Sequence, residues 1–296
     1  MDIDLRLDTI FDDHKAFLLR LGPIIGGLDS KVKSHIMRKS KHDTLYEIFT
    51  LKFPERFLVV KETKKDSIRA PRAMLEAHYL NRASDSGVTS KFLGFKECED
   101  EFYLITERIF GYSLMDLVDY QYYGPETAKD HLVCIIKNLQ TLMNKGILLR
   151  ELSPSQIMVT DYDPYMGVKF TNMSSAIGYH PGVYADTLDR LCKHPLDQYY
   201  TVEKSLPYEI GLLFHSLLIS VNADAFRNVN EQLNSEVYWP KEAKIPDEYK
   251  ALVHACLREP ENRIKFSEIL EHEAFKPRVS SKSCSLIEAQ AKLINN

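Results

Sequence analysis

Two charged residues at a suggestive spacing are the first that could do chemistry. Lys61 ends the apolar run "LVVK", and Glu76 follows fifteen residues later in a segment with helical spacing. A lysine ammonium held by a carboxylate can be fixed over the phosphates of a nucleotide. Exposed lysines and glutamates are common, so the pair alone is a weak signal. The sequence predicts an ion pair between these two side chains and needs further residues to give it a function.

Polar residues cluster in two later segments. The first, "ILLRELSPSQIMV", covers 147–159, and the second, "VKFTNMSSA", covers 168–176. Glu151 is a carboxylate that could accept a proton from a hydroxyl, whereas Gln156 and Asn172 offer neutral amide oxygens. Ser153 adds a hydroxyl and no charge. These are oxygen-bearing groups of the kind that surround a phosphate or a metal ion, but all except Glu151 carry no negative charge.

Aligned without a gap, the two segments resemble the catalytic loop and the D-F-G segment of the eukaryotic protein-kinase family. The stretch "LVHACLREPENRIKFSEILEHEAF" (252–275) is similar to the closing helices of that family. The resemblance extends over about 15–277. It implies an α+β, bilobal protein-kinase-like fold with a β-rich N-lobe (15–109) and a helical C-lobe (110–277). An N-terminal extension (1–14) and a C-terminal tail (278–296) flank the two lobes.

The resemblance also implies that the catalytic site is degenerate. Glu151 stands where the family has its catalytic aspartate, and Ser153 stands where it has a lysine. Gln156 replaces the asparagine that binds magnesium, and Asn172 replaces the D-F-G aspartate, the main magnesium ligand. Leu149 replaces the histidine of the loop. Five replacements in one site predict a pseudokinase without a metal site.

A nucleotide pocket follows from the same resemblance. The glycine-rich loop is assigned to "LGPIIGGLDSKV" (21–32), which fits in two registers. The preferred register puts Gly27 at the second glycine and Val32 at the valine above the nucleotide. Ile25 and Ser30 then replace the other two glycines, which hinders the backbone from closing over phosphates. The alternative is an ordinary turn that binds no ligand.

The rest of the implied nucleotide site comes from both sides of the linker. Val59 lies above the adenine and Met158 forms its floor, although simple core packing explains these two residues equally well. Thr106 takes the gatekeeper position, and Glu107 and Ile109 line the linker. The complete predicted set is Gly27, Val32, Val59, Lys61, Glu76, Thr106, Glu107, Ile109 and Met158.

Composition limits the kind of protein. The chain has 296 residues, a net charge of -4, 44% hydrophobic and 27% charged residues, which is typical of a globular protein and disfavours nucleic-acid binding. The five cysteines are scattered without CxxC pairs, which favours a reducing compartment. The acidic start "MDIDLRLD" does not resemble a signal peptide, and the longest apolar stretch (210–221) is too short to span a bilayer. We expect a cytoplasmic or nuclear protein that binds neither nucleic acid nor membrane.

The periodicity of apolar residues predicts a strand-rich first third and a helical remainder. Strands are predicted at 15–22, 45–53, 56–62, 91–95 and 101–107, with one helix at 69–84. After a linker near 107–111, helices are predicted at 113–121, 125–146, 207–220, 247–258 and 266–275. The segment 172–205 is predicted to be a long loop.

Three functions remain open. The favoured one is a pseudokinase that acts as a scaffold or allosteric regulator by binding a protein, for example an active kinase or a signalling complex. Such a protein would bind ATP weakly and without magnesium, or not at all. The second is a weak or atypical ATP-dependent Ser/Thr protein kinase, because Glu151 keeps a carboxylate. The third is an interaction module that binds no nucleotide.

Overall fold

The computed structural model describes residues 32–50, 57–119, 124–160, 167–179, 202–219, 237–240 and 244–276. Within these ranges, antiparallel strands dominate the first part of the chain and helices dominate the later part. This separation agrees with the predicted α+β class.

The first part is a five-stranded antiparallel sheet with the strand order β1-β2-β3-β5-β4. Apolar side chains from neighbouring strands meet on its buried face, where Tyr46 pairs with Val60 and Val60 pairs with Ile105. The strands are β1 (Val32–Lys39), β2 (Asp43–Thr50), β3 (Phe57–Lys64), β4 (Phe92–Glu97) and β5 (Glu101–Glu107).

One helix, α1 (Ala70–Ala83), packs against this sheet. Its first turn places Ala70 and Ala73 against Phe102 of β5. Farther along, Leu80 is fully buried in the main hydrophobic core, which also contains the helices of the later part. The helix therefore joins the sheet to the rest of the molecule, and it holds Glu76 on its buried side.

The described residues of the later part form four α-helices and five short strands. The helix α3 begins at Pro125 and buries a regular set of apolar residues that includes Leu132, Ile136 and Leu139. It ends just before Gly146, whose φ of 71° suits glycine. The helices are α2 (Leu114–Asp119), α3 (Pro125–Asn144), α4 (Val202–Ile219) and α5 (Asp247–Leu257). The strands are β6 (Gly111–Ser113), β7 (Ile147–Leu149), β8 (Ile157–Thr160), β9 (Val168–Phe170) and β10 (Ala176–Gly178).

The short strands hold the polar segments in place. One small sheet has the order β6-β8-β9, and a second pairs β10 with β7. As a result, the turn after β7 and the turn after β9 are both fixed at their strand ends. These two turns carry the polar residues that the sequence singled out.

Several predicted elements are confirmed, and others differ. The strand β6 was not predicted, and β10 lies within the segment 172–205 that was predicted to be a long loop. The strand β1 was not predicted, because "VKSHIMRK" has few apolar residues, and α4 starts five residues earlier than expected. The predicted helix at 266–275 is wrong, because the chain forms two 3-10 helices, Phe266–Glu271 and Glu273–Phe275. Between them His272 is extended and its ring nitrogen Nδ1 accepts a hydrogen bond from the Ala274 N–H. The predicted strand at 15–22 lies outside the described residues.

No described helix is both long and apolar enough to cross a bilayer.

Candidate functional site

The predicted ion pair between β3 and α1 is confirmed. The ammonium Nζ of Lys61 lies 2.7 Å from Oε2 of Glu76. Lys61 is positioned by β2 and β5, which pair with β3 on either side of it. The Glu76 side chain is only 2% exposed, whereas the Lys61 side chain is 16% exposed. A carboxylate this deeply buried needs its counterion, so the pair fixes α1 against the sheet.

A cavity of about 310 Å³ surrounds this pair, and we call it the Lys61 cavity. Its lining also includes Glu151, Gln156 and Asn172. The structure thus brings together the charged pair and three of the four polar residues that the sequence singled out. The fourth, Ser153, is not among the residues that line the cavity, and its hydroxyl lies 2.9 Å from that of Ser155.

Gln156 and Asn172 lie on turns whose hydrogen bonds already use some of their atoms. Gln156 ends the 3-10 helix Pro154–Gln156, and its carbonyl accepts hydrogen bonds from the N–H and hydroxyl of Thr171. The Asn172 Oδ1 accepts a hydrogen bond of 2.7 Å from the Ser174 N–H. This is a local turn of the kind that asparagine side chains favour. The Asn172 oxygen is therefore neutral and already in use.

A turn that the sequence did not assign borders the same cavity. It connects β1 to β2 through residues 40–42, and Lys39, Ser40 and Asp43 line the Lys61 cavity. The glycine-loop prediction at 21–32 needs correction here. Val32 lies at the other end of β1, where its backbone pairs with Thr50, and the seven further residues of the strand separate it from the turn. Gly27 lies outside the described residues.

Most of the backbone N–H groups of this turn donate hydrogen bonds within the turn itself. The Ser40 N–H donates to the Asp43 carbonyl at 2.8 Å. The N–H groups of His42 and Asp43 both donate to the Ser40 hydroxyl, at 3.3 and 3.0 Å. A phosphate-binding loop instead presents free N–H groups to the anion. The three bonded groups are therefore not free to hold a phosphate.

A buried carboxylate fastens the turn to its neighbours. Asp43 accepts hydrogen bonds from the Thr63 hydroxyl at 2.9 Å and from Arg69 Nη1 at 2.6 Å. Burial would raise the pKa of the Asp43 carboxyl, but the Arg69 hydrogen bond, the charge of Lys61 and the Thr63 hydrogen bond together lower it. The carboxylate therefore stays ionised and ties the turn to β3 and to the start of α1.

The five residues predicted to surround an adenine lie on different elements of the fold. Val59 of β3 pairs with Thr106 of β5, and Met158 lies on β8. Glu107 and Ile109 line a different cavity of about 790 Å³, whose wall includes neither Lys61 nor Glu76. Of these five residues, Glu107 and Ile109 share the wall of one cavity.

The linker holds a contact that sequence reasoning missed. Arg108 forms an ion pair with Glu47 of β2. Its guanidinium also lies over the rings of Phe57 and Phe110, at 5.9 and 5.0 Å. Contacts of this kind between a cation and aromatic faces are favourable. An arginine beside two phenylalanines was the available signal, but the partner on β2 depends on the fold.

The charges around the Lys61 cavity leave room for an anion. Among the described residues, four cationic side chains and three carboxylates line it, and two of the carboxylates are engaged by Lys61 and Arg69. Glu151 has no cationic partner within 4 Å among the described residues. Within the described ranges, no group of three or more histidine, cysteine, aspartate or glutamate side chains is placed to hold a metal ion.

No family model matches the chain, and no curated protein matches it either.

Proposed function

We propose that this chain is a pseudokinase, which acts as a scaffold or allosteric regulator by binding a partner protein. In this proposal the sheet and α1 belong to an N-lobe and the remaining helices to a C-lobe. One observation carries the proposal. The Lys61–Glu76 pair lines one cavity together with Glu151, Gln156 and Asn172, which stand at the positions where the protein-kinase resemblance calls for catalytic and metal-binding groups.

Loss of magnesium binding is the first physical reason. Magnesium prefers anionic oxygens in a strict octahedron at about 2.0–2.1 Å. Asn172 offers a neutral oxygen that already accepts a hydrogen bond from Ser174. Gln156 is one methylene longer than asparagine, which displaces its oxygen by about 1 Å, and misplacement on this scale can cost about 100-fold in rate. Phosphoryl transfer depends on the metal for much of its charge stabilisation, so turnover should be very slow or absent.

Weak nucleotide binding is the second physical reason for the proposal. The turn at 40–42 has no glycine, and three N–H groups of residues 40–43 bond within the turn. Lys61 remains available to phosphates because its side chain is partly exposed. ATP would therefore bind weakly and without magnesium, or not at all.

A turnover assay tests this proposal. Purified protein is incubated with radiolabelled ATP and magnesium or manganese, beside a restored variant that carries Glu151→Asp, Ser153→Lys, Gln156→Asn and Asn172→Asp. We expect no turnover from the wild type and measurable turnover from the restored variant. Wild-type turnover near the ~1–100 per second of ordinary kinases, abolished by Lys61→Ala, would overturn the proposal.

A weak Ser/Thr kinase is the second candidate, because Glu151 is a carboxylate in the same cavity as the Lys61–Glu76 pair. Glu151 could accept the proton of a substrate hydroxyl. Slow turnover that is lost in Glu151→Gln would favour this candidate. A thermal-shift assay with ATP, with and without magnesium, separates both from a module that binds no nucleotide.

A further inference from the structure

The second cavity, of about 790 Å³, lies against the linker and is separate from the Lys61 cavity. We call it the linker cavity. Its wall comes from four parts of the chain: the connection between α1 and β4, the linker that follows β5, the middle of α3, and the ends of β8 and β9. Because these parts are distant in sequence, the cavity is a product of the fold.

Three lysines from three of these parts line the linker cavity. Lys91 precedes β4, Lys137 lies on α3 and Lys169 lies on β9. Among the described residues, none of their ammonium groups has a carboxylate oxygen within 4 Å. Among the described residues of the wall, Glu107 is the one acidic residue, and Arg108 is already paired with Glu47. Cationic groups around a concave surface create a positive potential that attracts an anionic ligand.

Apolar groups form another share of the wall. Val88, Ile109, Phe110 and Cys134 are half-buried there, which leaves part of each side chain accessible. Thr89 is also in the wall, and its buried hydroxyl has no hydrogen-bond partner among the described residues. A buried hydroxyl of this kind is usually satisfied by a protein group or an ordered water. The ligand that fits the half-buried apolar side chains has apolar groups of its own.

The volume and the chemistry favour a peptide over other anions. A cavity of this size is within the range that binds extended ligands, and an inorganic anion would leave the apolar wall uncovered. The net charge of -4 disfavours nucleic acid. A peptide with acidic and apolar residues would match the lysines and the apolar wall at once.

We propose that the linker cavity is a docking site for an acidic peptide segment of a partner protein. Carboxylates of the segment meet Lys91, Lys137 and Lys169, and its apolar side chains cover Ile109 and Phe110. This inference rests on the proposed protein-binding function and gives its partner a chemistry. Its test measures peptide binding, so a failure here can be told apart from a failure of the turnover test.

The probe is a fluorescein-labelled peptide in which glutamate alternates with leucine, titrated into the full chain at low salt and followed by fluorescence anisotropy. A peptide with glutamine in place of glutamate is the matched control. We expect the glutamate peptide to bind at least about tenfold more tightly, since each exposed ion pair is equivalent to as much as about fivefold in affinity. Its affinity should fall as salt is added, because exposed charges are screened.

The double variant Lys137→Glu, Lys169→Glu locates the site. It should weaken binding of the glutamate peptide by at least about tenfold, since attraction becomes repulsion at two positions. Lys276→Glu is the matched control, because Lys276 is an exposed lysine outside this cavity, and it should leave the affinity within about twofold. If the double variant does not fold, Lys137→Gln with Lys169→Gln replaces it, with a smaller loss expected. Absence of binding, equal binding of the two peptides, or an equal loss in the Lys276 control would overturn the proposal.

Discussion

Replacing Lys61 by methionine should destabilise the protein far more than neutralising Glu76. The Glu76 carboxylate is 2% exposed and has Lys61 at 2.7 Å. In Lys61→Met it becomes a buried charge without that counterion, which costs about 3–5 kcal/mol of unfolding free energy. In Glu76→Gln the remaining ammonium is 16% exposed and can turn toward water. The loss should then be about 1.5–3 kcal/mol, the value of a hydrogen bond to a charged group.

Urea unfolding at neutral pH measures both losses, and a double variant without either charge tests their cause. Lys61→Met combined with Glu76→Leu removes both charges and should recover most of the stability lost in Lys61→Met alone, because an apolar pair can replace a buried ion pair. Two results would refute the reasoning. One is an equal loss in the two single variants, and the other is a double variant no more stable than Lys61→Met.

Three further perturbations follow from the structure. The pKa of Asp43 in the folded protein is lowered from its ordinary value of 3.8. Its contribution to stability is therefore present above that value and is lost as the pH falls through the folded pKa. Asp43→Asn should make stability less dependent on pH at the acid end of a urea-unfolding pH series. Burial lowers the pKa of His215 to about 4. The contribution of His215 should therefore make stability fall from pH 6.5 toward 4 by as much as about 1.4 kcal/mol per pH unit. His215→Gln should remove this contribution to the slope. Gly111→Ala should prevent folding or destabilise strongly, because its φ is 146° and a Cβ would lie 1.9 Å from the Val159 carbonyl oxygen. In Gly87→Ala, with φ 76° and no atom within 4 Å, the loss measured by the same unfolding assay should be only about 1–2 kcal/mol.

The sequence predicted elements well where apolar periodicity was strong. The strand β5 (Glu101–Glu107) has the predicted bounds, and α1 and α3 lie within about two residues of theirs. It failed where the determinant was not apolar spacing. The strand β1 is held by its pairing with β2, which no local pattern reveals. The stretch after residue 265 has helical composition, but extended backbone at His272 divides it.

For the candidate site, the success of a prediction depended on whether consecutive elements or distant parts of the chain bring the residues together. The pairing of Lys61 with Glu76 was predicted from their spacing together with the resemblance to protein kinases, and the two side chains do pair. Asp43 and Arg69 were missed, since twenty-six residues separate them and only the turn between β1 and β2 brings them together. Val32 lies away from the turn beside Lys61 for a related reason: the unpredicted strand β1 has the turn at one end and Val32 at the other. The rest of the predicted glycine loop, 21–31, lies outside the described residues.

Under the proposed function, phosphoryl transfer and nucleotide binding fail for separate reasons. Transfer fails because Gln156 and Asn172 supply no charge to a metal ion, whereas binding fails because N–H groups of residues 40–43 bond within their own turn. The restored variant changes the first cause only. It should therefore gain turnover while its KM for ATP stays high, and ATP should raise its thermal stability in the absence of magnesium no more than that of the wild type. A large magnesium-free shift by ATP in both proteins would show that the turn does hold phosphates and would contradict this account of the cleft.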